Sequence, residues 1–107
     1  MGIFRSIDFG NLESLGSTPL YEAVHNGNTE ILQALIDAGA DINSQYNDGE
    51  TPLHWAAFEG QSRIVQALID AGSDINIRNI DGQTPLFMAA RLGNTQIARL
   101  LKQAGAK

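Results

Sequence analysis

Cysteine is absent from this chain of 107 residues, which excludes a disulfide framework and any thiolate metal site. Basic side chains are scarce: seven Lys and Arg stand against twelve Asp and Glu, for a formal net charge of −5. That balance argues against a general nucleic-acid binder, whose affinity rests on Lys and Arg neutralising phosphates. No apolar run approaches the roughly 18 residues of a membrane span. Residues 1–17 also lack the uninterrupted apolar segment of a secretory signal. A cytoplasmic location is therefore expected. Catalytic signatures are missing too: there is no phosphate-cradling glycine loop, no G-x-S-x-G, no H-E-x-x-H and no Cys nucleophile. Neither His25 nor His54 has the neighbours at ligand spacing that a zinc site requires. The expectation is a protein without catalytic activity, metal or cofactor, with room for one domain and 43% apolar residues to pack its core.

What is present is a repeat. All three prolines follow threonine, at Thr18-Pro19-Leu20, Thr51-Pro52-Leu53 and Thr84-Pro85-Leu86, and the three copies are spaced 33 residues apart. Ala23, Ala56 and Ala89 fall in register, as do Gly27, Gly60 and Gly93, and Gly39, Gly72 and Gly105. Self-similarity at a fixed period is the mark of a stacked repeat protein. Thr can cap a first helical turn, and Pro at the first position loses nothing, since its missing N–H would have no intrahelical partner. The spacing predicts a helix of about eight residues ending at each glycine, then a second helix. The second helix carries its apolar stripe at Ile31, Leu32, Leu35 and Ile36 in one copy and Ile64, Val65, Leu68 and Ile69 in the next. Between copies, Asp48-Gly49 and Asp81-Gly82 mark extended loops that fold back in tight turns.

On these residues the chain resembles the ankyrin repeat family, from Leu15 to Lys107. The resemblance implies an all-α solenoid of helix-turn-helix units with projecting β-hairpin loops. Repeats are expected at 18–50, 51–83 and 84–107. They would follow a segment, 1–17, that is a cap or partly disordered. Leu15-Gly16-Ser17 would then form the last part of a hairpin loop. In the family a His after Thr-Pro-Leu supports the loop-to-helix turn. Only His54 keeps it; Tyr21 and Phe87 replace it in the other copies. Carboxylates such as Asp41 with Asp74 and Asp48 with Asp81 recur in register, so turns and caps explain them. Trp55 reads as a packing residue between helices.

The resemblance also implies a concave surface of hairpin tips and first helices that binds another protein. Carried over by position, the candidate binding residues are Tyr46, Asn47, Glu50, Arg78, Ile80 and Gln83 on the tips. On the first helices they are His25, Phe58, Glu59 and Arg91. Gln45 and Asn79 also fall on the tips, and Asn26 and Leu92 on the first helices. Aromatics and arginines dominate interface energies, which puts Tyr46, Phe58, Ile80 and Arg91 first. The competing reading has Phe58 folded against Trp55 and Tyr46 packed beside its own turn.

Charge is uneven along the chain. Residues 1–77 hold two basic and eleven acidic side chains, whereas residues 78–107 hold five basic side chains and Asp81 alone. Ile36 and Ile69 give way to Lys102, and Asp37 and Asp70 to Gln103, as expected where a stack ends with a polar face. A complete small protein, monomeric, is the expectation. Its function is read as a non-catalytic protein-binding module, with a small inhibitor or immunity-type protein covering a partner's active surface as a narrower form. Met1-Gly2-Ile3-Phe4-Arg5-Ser6 also fits the N-myristoylation pattern, so a membrane-tethered adaptor through Gly2 is a rival of another class. A self-associating structural unit is a third.

Overall fold

The computed structural model describes the backbone of residues 12–107 and the side chains from Pro19 onward. Gly2 and the first residues of the expected cap lie outside that range. Within it are six helices: α1 (Leu12–Asn26), α2 (Thr29–Asp37), α3 (Pro52–Glu59), α4 (Ser62–Asp70), α5 (Pro85–Arg91) and α6 (Thr95–Gln103).

The Thr-Pro signal works as chemistry dictates in two copies. Thr51 and Thr84 arrive extended, and each hydroxyl accepts a hydrogen bond from the backbone N–H three residues on, at His54 and Phe87. Pro52 and Pro85 then open the helices. Each first helix ends against a left-handed glycine: Gly27 at φ 67°, Gly60 at 75° and Gly93 at 77°. In the first copy the expectation fails at the start. Helix α1 begins at Leu12, so Thr18 is interior and Leu15-Gly16-Ser17 is helical rather than the end of a loop. Pro19 has no N–H to offer the Leu15 carbonyl, a defect that usually costs a helix interior about 3 kcal/mol. No Asp-Gly pair precedes Thr18 to turn the chain, as Asp48-Gly49 and Asp81-Gly82 do before the other two copies. A proline signal without a turn ahead of it does not set the boundary.

The helices stack in two rows. First helices α1, α3 and α5 pack side by side, second helices α2, α4 and α6 do the same, and each first helix packs on its second. Alanines at the shared register, Ala23, Ala56 and Ala89, are buried where the first helices meet. Leu32, Leu35, Ile64, Val65, Leu68, Ile97 and Leu101 supply the buried stripe of the second row. At the C-terminal end Lys102 and Gln103 are exposed, while Leu100 is only half-buried.

Between repeats the loops project as turns, and no strand occurs among the described residues. Tyr46 N–H donates to the Glu50 carbonyl and Gly49 N–H to the Tyr46 carbonyl; Asn79, Gln83 and Gly82 repeat the pattern. The two loops are tied together. Ile80 N–H donates to the Asp48 carbonyl, Gln45 Nε2 to the Arg78 carbonyl and Asn79 Nδ2 to Glu50 Oε2. Similar ties recur below, from Asp74 N–H to Asn43 Oδ1 and from Lys107 N–H to Asn76 Oδ1.

Candidate functional site

The loops are held over the first helices by the residue that follows Thr-Pro-Leu. His54 is fully buried; its Nδ1 accepts from the Thr51 N–H at 3.1 Å, so the proton sits on Nε2, which donates to the Gln83 carbonyl at 2.8 Å. Burial holds the imidazole below its ordinary pKa, against the opposing pull of the Gln83 carbonyl and the Glu50 and Asp48 charges. Tyr21 occupies the same position one repeat earlier, and its hydroxyl donates to the carbonyl of Glu50, the residue that precedes Gln83 by one period. The Ser44 carbonyl lies 3.4 Å away. Burial, then the Asp48 and Glu50 charges, push this hydroxyl above the ordinary tyrosine value, so it stays a donor. Tyr21 therefore replaces the histidine in role as well as in position. Phe87, at the same position of the third repeat, is 48% exposed.

That replacement gathers an aromatic cluster. Tyr21 reaches the loop through an aromatic ring, and two further rings gather on it. Tyr46 sits with its centroid 5.2 Å away at 53°, and Trp55 at 5.0 Å and 71°. The indole Nε1 of Trp55 is buried with no hydrogen-bond partner among the described residues. Beside these rings lies a groove of about 560 Å³ lined by Tyr21, Glu22, His25, Asn26, Tyr46 and Trp55. His25 Nδ1 lies 2.9 Å from Glu59 Oε2, joining α1 to α3 at the groove's edge. A second hollow of about 520 Å³ lies against the next loop and α5, with Arg78, Gln83, Phe87 and Lys107 among its lining residues.

The ten residues singled out by position separate on this geometry. His25 and Tyr46 line the first groove, Glu59 holds His25, and Arg78 and Gln83 line the second. Phe58, Ile80 and Arg91 are exposed, at 55% and 75% for the first two, and line neither hollow; Asn47 is exposed as well. Glu50 and Gln83 are only half-exposed, and their carbonyls anchor the loops to Tyr21 and His54. Asn79, also expected on a tip, is buried. Its Oδ1 accepts from the N–H groups of Asp81 and Gln83, closing the turn. Tyr46 meets α1 through the Tyr21 ring and remains 45% exposed. Sequence reasoning passed over Tyr21, Glu22 and Trp55 as site residues, although the departure from His at Tyr21 was the available signal.

Among the described residues no helix is long and apolar enough to cross a membrane, and no group of three or more His, Asp or Glu could hold a metal ion. A comparison with curated proteins gives no match. A family profile described as ankyrin repeats (3 copies) matches residues 3–79, and one described as ankyrin repeats (many copies) matches residues 63–101. Repeats of this kind are in general protein–protein interaction modules and typically non-catalytic. With the first match spanning well over half of the chain, and with three helix-turn-helix units stacked in register, the chain belongs to the ankyrin repeat family.

Proposed function

We propose that this protein binds a partner protein, without catalysis, through the face formed by its projecting loops and first helices. One observation carries the reading. Among the described residues, five large hydrophobic side chains are at least 45% exposed: Tyr46, Phe58, Ile80, Phe87 and Leu92. Every one stands on a projecting loop or at a first helix, and none on α2, α4 or α6. Exposed apolar surface gathered on one side, rimmed by polar groups, is what a protein-binding face requires.

The test is affinity capture with the wild type beside a Tyr46→Ala, Phe58→Ala variant whose fold is verified by circular dichroism. A Gln33→Ala, Gln66→Ala variant on the exposed side of the second helices serves as control. A true partner is retained by wild type and control and weakened by about 1 kcal/mol or more for each aromatic removed. Equal retention by all three would move binding off this face.

A further inference from the structure

We propose that the groove between α1, α3 and the first loop is a pocket for an arginine side chain on a basic segment of the partner. This rests on the reading that loops and first helices form the binding face, and it names the chemistry that face selects. The groove is walled by the rings of Tyr21, Tyr46 and Trp55, with Tyr46 45% exposed, Trp55 half-exposed and Tyr21 buried beneath. At 53° and 71° neither ring pair is stacked face to face. Aromatic faces carry negative charge density and attract cations.

The charged groups point the same way. Glu22 is exposed on the lining, Asp48 and Glu50 stand on the loop that carries Tyr46, and among the described residues no Lys or Arg lines the groove. Burial first, and then the carboxylates of Asp48 and Glu50, hold the Tyr21 hydroxyl above its ordinary value. The His25 ring on the lining is already engaged by Glu59 at 2.9 Å. An anion would find no counter-charge there, and a neutral apolar side chain would leave Glu22 unused. Arginine suits an open groove better than lysine. Its guanidinium is weakly hydrated and planar, so it stacks on rings and meets a carboxylate with two donors, whereas an ammonium keeps its water. At about 560 Å³ the groove has room for a long side chain and its adjoining backbone.

Trp55 is the only tryptophan in the chain, so its emission reports the groove directly. The experiment titrates the full chain with a short capped alanine peptide carrying arginine, and with the same peptide carrying lysine or citrulline, the neutral isostere of arginine. The arginine peptide is expected to give a saturable change in Trp55 emission, the lysine peptide a several-fold weaker one and the citrulline peptide none. Glu22→Gln, at an exposed position, should weaken the arginine peptide roughly threefold or more without moving the thermal midpoint. Equal binding of the citrulline peptide, an unaffected Glu22→Gln variant, or no saturable response would each overturn the pocket. Loss of partner capture by the Tyr46, Phe58 double variant without an arginine response overturns the pocket and leaves the binding face standing. An arginine response with capture intact in the double variant would leave a groove that selects arginine but would overturn both the face as the docking site and the groove as the seat of the partner's arginine.

Discussion

Tyr21 and His54 hold equivalent loops with different chemistry, and the difference is measurable. Burial lowers the native pKa of His54 below 6.5, so the unfolded chain binds the proton more tightly than the native one. Stability from this group is complete above pH 6.5 and falls as pH drops from there toward the depressed native value. Urea midpoints taken from about pH 7.5 to about 5.5 should show that decline in a His25→Gln background, where His54 is the remaining imidazole. Adding His54→Gln should flatten it; an unchanged slope would assign the decline to carboxylates. Tyr21 contributes no such slope near neutrality, because its hydroxyl is pushed upward and stays protonated. Its contribution appears on deletion instead. Tyr21→Phe leaves the Glu50 carbonyl with the Tyr46 N–H alone as donor and should cost about 1 kcal/mol in urea unfolding. No change in midpoint would mean that water replaces the hydroxyl without loss.

Among the elements, the two loops look alike in sequence yet differ in tolerance. Gly49 and Gly82 close equivalent turns at φ 81° and 77°. A Cβ on Gly82 meets nothing within 4 Å, so Gly82→Ala carries only the left-handed penalty, about 1–2 kcal/mol. A Cβ on Gly49 would lie 2.8 Å from Ile80 N and 3.1 Å from the Asn79 backbone, because the second loop stacks directly on the first. Gly49→Ala should therefore destabilise distinctly more than Gly82→Ala, measured by thermal unfolding of the two variants side by side. Equal losses would show that the loops separate without cost. The existence of α2 to α6 was legible in the sequence, from the Thr-Pro starts of α3 and α5, the glycines and the apolar stripe of the second helices. The start of α1 was not: Thr18-Pro19 carries the same letters as the later copies without a turn ahead of them, and the helix runs through.

Over the whole molecule, surface chemistry is sorted by side and by end. Among the described residues, exposed large hydrophobics occupy the loops and first helices, while the second helices turn polar side chains such as Gln33, Gln66 and Gln96 outward. Along the stack, the acidic residues concentrate toward the first repeats and the basic ones in the last. The aromatic groove falls in the acidic part and the hollow containing Arg78 and Lys107 in the basic part. One face can in this way present opposite charge to the two ends of an extended partner segment. The candidate site was legible in part. Tyr46, Phe58 and Ile80 stood out as apolar residues at tip or surface positions and are exposed. Glu50, Asn79 and Gln83 stood at tip positions too, yet the loops use them to hold themselves in place.

The period of 33, the helix pairs, the left-handed glycines and the polar last helix were written in the sequence, because each depends on residues a few positions apart. Which departures from the repeat pattern are structural and which are left free for binding was decided only by the stacked fold. Tyr21 meets Glu50 29 residues away, His25 meets Glu59 34 residues away, and Gln45 meets Arg78 33 residues away. Periodicity places such residues in equivalent positions but says nothing of whether an unusual side chain will find its partner in the next repeat. Burial and hydrogen bonding across the repeat interface make that decision, and they leave Tyr46, Phe58 and Ile80 facing outward.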